Sequence, residues 1–184
     1  MKKLVTSGKN FNLCDLDFLE TYRFGNGCGF PFSYKAFVKQ YGYGRLSGEW
    51  WIYPPLGNYC DSWAIRSQEI KSTYMDDISE GEIWFEPGPD ANTAMLKGME
   101  PFAMSENGYY LFWYVDDCHS ANEFDIFITD FRGTGFKRIA GTINELLEVM
   151  TGDEILRILP YRTEPYPAIF ECVEKLYQYP DIII

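Results

Sequence analysis

At 184 residues, with 46% apolar and 18% aromatic side chains, the chain carries enough hydrophobic surface to bury a core of its own, which excludes a disordered polymer. Its 16 basic and 27 acidic side chains leave a net charge of -11, a field that repels phosphate and argues against DNA or RNA as a partner. The same field steers basic proteins toward the chain, or simply keeps its copies apart.

From the N-terminus, Met1-Lys2-Lys3-Leu4-Val5 runs into the polar Thr6-Ser7-Gly8-Lys9-Asn10 instead of a signal-peptide core. No apolar run reaches the ~20 residues that cross a bilayer, so the expectation is a cytoplasmic protein without membrane contact. Asn12 is placed to cap a first helix through Leu13, Leu16 and Leu19 toward Gly25. After the breakers Gly25, Gly27, Gly29 and Pro31, Ser33 is placed to cap a second helix. Tyr34, Phe37, Val38 and Tyr41 fall on one face of it before Gly42.

Glu49-Trp50-Trp51-Ile52-Tyr53 reads as a strand stopped by Pro54-Pro55, and residues 61–78 read as a helix carrying Trp63, Ile70, Tyr74 and Ile78. Ile83-Trp84-Phe85 suggests a short strand. Asn107-Gly108 is a turn signal, after which 109–115 and 123–130 read as an antiparallel pair joined through 116–122. Arg132-Gly133-Thr134-Gly135 then leads into a third strand over 136–139. Thr142-Ile143-Asn144-Glu145 is a capping box before Leu146, Leu147 and Met150; Thr151-Gly152-Asp153-Glu154 repeats it before a shorter helix ending by Pro160. A last helix is expected from Pro167, with Ile169, Phe170, Val173, Leu176 and Tyr177 on one face. Without repeats or long linkers, this order predicts one α+β domain over 1–184, a mainly antiparallel central sheet covered by helices, with the helices from about 151 as an extension.

Few residues suggest chemistry. The five cysteines, Cys14, Cys28, Cys60, Cys118 and Cys172, are odd in number and scattered, so reduced thiols are expected, not a disulfide framework or metal clip. The only histidine, His119, follows Asp116, Asp117 and Cys118. Such a cluster suits a cation or a thiol-base pair, but sequence neighbours seldom converge as three or four ligands must. Asp76, Asp77, Glu80 and Glu82 lack calcium-loop spacing and read as a solvated helix end. Gly25-Asn26-Gly27-Cys28-Gly29 has no following Gly-Lys-Ser/Thr, so it reads as a turn and not a phosphate loop. Trp50, Trp51, Trp63, Trp84 and Trp113 are expected mainly in the core, and the Pro54-Pro55-Leu56-Gly57 loop is the best place for exposed apolar groups. No catalytic, cofactor-binding or metal-binding residue is assigned.

Gly29-Phe30-Pro31-Phe32-Ser33-Tyr34-Lys35-Ala36-Phe37-Val38-Lys39-Gln40-Tyr41-Gly42-Tyr43-Gly44 resembles the Leu-Pro-x-x-Tyr-x-x-Phe helix of the SUKH superfamily. Pro101-Phe102-Ala103-Met104-Ser105-Glu106-Asn107-Gly108-Tyr109-Tyr110-Leu111-Phe112-Trp113 resembles that family's approach to a central strand, with Tyr109 where an aspartate is common. The resemblance spans roughly 15–150 and implies a compact α+β binding scaffold. It implies an immunity protein that neutralises a toxin, often a nuclease, or a regulator of cell-wall or glucan synthesis. The expected partner is a basic protein, with Trp50, Trp51, Pro54, Pro55, Leu56, Asp116, Asp117, His119 and Glu123 as the candidate binding residues. A hydrolase or metal-dependent enzyme built on residues 116–119 is the alternative of another class.

Overall fold

The computed structural model describes residues 3–11 and 13–176. Strand β1 (Val5–Ser7) comes first. Helix α1 (Leu16–Thr21) is capped by Asp15, whose carboxylate accepts the Phe18 amide at 2.9 Å; Asn12 lies outside the described residues. Helix α2 (Phe32–Tyr41) buries Tyr34, Phe37, Val38 and Tyr41 as the spacing requires. Pro31 takes its cap position, and Ser33 sits in the first turn with its hydroxyl directed elsewhere.

Strands β2 (Gly44–Leu46) and β3 (Trp50–Ile52) form an antiparallel hairpin. The helix expected over 61–78 is broken into α3 (Trp63–Ser72) and α4 (Met75–Glu80). At the break the Ser72 and Thr73 hydroxyls donate to the Glu69 and Ile70 carbonyls, each at 2.7 Å, and Tyr74 turns fully into the core. Ile83-Trp84-Phe85 is not a strand: Pro87 and Pro89 follow with no amide to donate, Phe85 is buried and Trp84 is exposed.

Strands β4 (Met99–Ser105), β5 (Tyr110–Tyr114), β6 (Ile126–Thr129) and β7 (Lys137–Ala140) form an antiparallel meander. The last three match the sequence reading. The first escapes it because Pro101 interrupts the pattern, and the ladder absorbs that proline with a register shift between Pro101 and Ala103. In α5 (Ile143–Met150) Thr142 caps as expected, its Oγ1 accepting the Glu145 amide at 3.1 Å, while the Glu145 carboxylate reaches one residue past the cap and accepts the Gly141 amide at 2.7 Å. The second box does not form, since Thr151 donates back to the Leu147 carbonyl at 2.6 Å, and α6 (Ile155–Ile158) starts without a side-chain cap.

The expected final helix is corrected: Ile169–Cys172 is strand β8, lying between β1 and β2, and Tyr177 falls outside the described residues. Phe170 is fully buried against Phe37 and Tyr41 of α2, and β2 supplies open ladder groups that a helix here would leave unpaired. Gly44 makes the approach possible, because a Cβ there would collide with the Glu171 carbonyl oxygen.

Among the described residues, eight strands in one sheet and six α-helices make a mixed α/β architecture. The sheet order is β1-β8-β2-β3-β4-β5-β6-β7, and only the β1–β8 pair is parallel. At its centre the Phe102 and Trp113 rings stack at 4.2 Å and 8°. Tyr34 of α2 meets Trp113 edge-on at 4.8 Å, and Phe30 meets Trp63 in the same way at 4.8 Å. Tyr34 donates its hydroxyl to the Tyr53 carbonyl at 2.6 Å and the Trp63 indole donates to the Pro101 carbonyl at 3.1 Å, so neither polar tip is stranded.

Gly44→Ala is expected to cost about 1–3 kcal/mol through this backbone collision. Gly25→Ala, where an added Cβ meets nothing within 4 Å, is expected to stay within about 0.5 kcal/mol. Urea unfolding of both variants measures the contrast.

Candidate functional site

The connection from β5 to β6 is built from polar residues that the sheet cannot absorb. Val115 still belongs to the core and donates its amide to the Gly98 carbonyl at 2.9 Å; Asp116 and Asp117 beyond it are exposed. The Asp116 carboxylate passes so close to Gly98 that a side chain on that glycine would strike it. The turn closes where the His119 amide donates to the Glu123 carbonyl at 2.9 Å. Between them Ala121 and Asn122 both adopt left-handed backbone, at φ 59° and 56°.

Two acidic side chains anchor the far end. Glu123 accepts the Ser33 amide on Oε1 at 2.7 Å and the Ser33 hydroxyl on Oε2 at 2.8 Å, while Ser33 Oγ accepts the Ile143 amide at 2.9 Å. This joins the starts of α2, β6 and α5. Burial pushes the Glu123 carboxyl above its ordinary range, against the pull of the Ser33 donors. Asp125 accepts Arg138 Nε at 2.7 Å on one oxygen and lies 3.4 Å from His119 Nε2 on the other. Burial opposes its ionisation, but Arg138 and His119 outweigh that and hold its carboxyl below the usual range.

The near end is tied covalently. Cys118 is disulfide-bonded to Cys28 in the loop between α1 and α2, which corrects the expectation of reduced thiols throughout. Ninety residues of sequence separate the two, so no local pattern announces the pair. In the same loop Asn26 donates its side-chain amide to the Val115 carbonyl and accepts the Cys28 amide at 2.9 Å. Bonded sulfur offers no thiolate at Cys118, and burial pushes the Cys14 thiol up to about 12.

The candidate binding residues separate into two groups. Asp116, Asp117 and His119 are exposed together on the turn, and Glu123 closes it. Trp50 is fully buried, and Pro54, Pro55 and Leu56 are buried as well, so the expectation of an exposed apolar loop there is corrected. The loop folds inward because the Pro54 and Pro55 carbonyls accept the Trp63 and Asp15 amides, each at 2.9 Å, and the Leu56 amide donates to Ser62 Oγ at 3.0 Å. Trp51 is half-buried under Arg45, 5.8 Å above its ring. It pairs with Met104, near the β4–β5 hairpin, whereas the turn leaves from the opposite end of β5. The structure does not bring these two segments together.

Between α1 and α3 lies a cleft of about 400 Å³ walled by Phe18, Tyr22 and Trp63, with the Lys71–Glu100 ion pair at its edge. Burial raises the Glu100 carboxyl even though Lys71 opposes it, and the Asp116 charge adds to the rise. No sequence pattern joined Glu100 to Asp116; the antiparallel register of β4 on β5, with Met99 opposite Tyr114 and Glu100 opposite Trp113, does. Among the described residues no group of three or more His, Cys, Asp or Glu side chains is placed to hold a metal ion, and no helix is long and apolar enough to cross a membrane.

Ser33→Ala strips Glu123 of one donor and the Ile143 amide of its acceptor, and is expected to cost about 1–3 kcal/mol in denaturant unfolding. Asp125 has a lower pKa folded than unfolded. Its stabilisation is therefore present above its ordinary value of about 3.9 and is lost as the pH falls through the folded value. The unfolding free energies of the parent and Asp125→Asn should differ by on the order of 1 kcal/mol near neutrality and converge once the pH lies below the folded value.

Comparison of the chain with protein-family models, with curated proteins and with solved structures finds no match.

Proposed function

We propose that the chain is a protein-binding, non-catalytic scaffold of the SUKH type, with helices laid on its sheet, that neutralises a basic partner such as a nuclease toxin in the cytoplasm. The observation that carries this reading is the exposed acidic turn of Asp116 and Asp117, held at both ends on the β5–β6 pair of a chain with net charge -11. A nuclease must be basic where it grips phosphate, and an acidic protrusion on a firm base is suited to cover such a surface. The two segments that carry the family resemblance also pack on one another: Tyr34 of the first meets Phe102 and Trp113 of the second. Side chains that an enzymatic reading would use are engaged otherwise, Cys118 with Cys28 and His119 against Asp125.

Co-expression with the product of an adjacent toxin-like gene is expected to protect the host and to yield a stoichiometric complex. Asp117→Lys should weaken that complex about tenfold or more, chiefly by slowing association, and added salt should mimic the effect. Surface plasmon resonance at two ionic strengths measures both. A chain that neither protects nor binds would sink the proposal.

A further inference from the structure

Cys28 and Cys118 join two surface loops, one ending the approach to α2 and the other opening the 116–122 turn, and both cysteines are only partly buried. Both pack against the edge of the core without belonging to its fully buried cluster. The turn itself is different. Ala121 and Asn122 are left-handed in succession, a conformation that side-chain-bearing residues hold only where their surroundings fix it. Glu123 on Ser33 and Asp125 on Arg138 fix its downstream end. Upstream, Asn26 holds Val115, the last core residue, and the disulfide reaches one step further, into the turn.

We propose that Cys28 and Cys118 form a redox latch on this turn. Oxidised, the pair holds the 116–122 turn, with Ala121 and Asn122 left-handed, in the conformation that exposes Asp116, Asp117 and His119. Reduced, it lets the turn relax while the sheet stays folded. One S–S bond breaks and two S–H bonds form; a dithiol reductant supplies the two electrons and two protons and closes into its own disulfide by way of a mixed disulfide. The freed Cys118 sulfur has acceptors inside the turn, the His119 carbonyl at 3.6 Å and Asn122 Oδ1 at 4.0 Å, so nothing obliges it to stay beside Cys28. A dithiol reductant opens the latch and an oxidant closes it. That the latch alters partner binding rests on the function proposed above; that it orders the turn does not.

The full chain, with and without dithiothreitol, is compared with a Cys28→Ser, Cys118→Ser double variant by peptide-mapped alkylation and amide hydrogen exchange. Cys28 and Cys118 should resist alkylation until dithiothreitol is added. Exchange over 116–122 should then rise about tenfold or more while β5 and β6 keep their protection, and the double variant should exchange fast in both conditions. Alkylation of both thiols before reduction, unchanged exchange in the turn, or unfolding of the whole chain on reduction each overturn the latch. With a partner in hand, affinity should differ about tenfold between the two states. A turn that loosens without changing affinity leaves the latch standing and refutes binding through the turn.

Discussion

The stack of Phe102 on Trp113 is the contact on which the rest of the architecture leans. It joins β4 to β5 through their side chains as well as their ladder, and it presents an aromatic platform to the layer above. Tyr34 stands edge-on against that platform, Phe30 and Phe24 close around it, and Trp63 brings α3 into the same cluster. Each ring buries a large apolar area in a fixed geometry, so the helices are oriented as well as attracted. The strand that ends in the acidic turn thus carries Trp113, the ring on which Phe24, Phe30, Tyr34 and Phe102 converge.

Where the apolar period is clean, sequence and structure agree. Helices α2 and α5 bury the faces that their spacing marks, and β5, β6 and β7 pair as the antiparallel strands that the sequence predicts. Disagreement arises where tertiary context decides. Residues 169–172 carry a pattern that serves helix or strand, and it is the gap beside Gly44 that makes them a strand. Pro101 hides β4, because a proline inside a ladder is read as a break until its neighbour strand is known.

The turn was legible as a loop of acidic residues beside the only histidine, but its mechanical state was not. Cys28 sits among glycines with nothing nearby to suggest a partner, and Ser33 looks like an ordinary cap. In three dimensions the serine becomes the meeting point of three elements, and the cysteine a covalent tie. Pro54, Pro55 and Leu56 show the reverse error: apolar character in a loop signals a surface only until burial is known.

The placement of β8 also bears on the order in which the molecule is assembled. Among the described residues strand β1 has no sheet neighbour other than β8, and β8 also supplies the outer partner of β2, so this edge of the sheet waits for residues near position 170 to leave the ribosome. The β4–β7 meander closes over short connections and can form well before that, which makes it the natural seed. Until β8 arrives, β2 offers bare ladder groups to any passing strand, an interval in which this chain depends on its strong like-charge repulsion to stay apart from its copies.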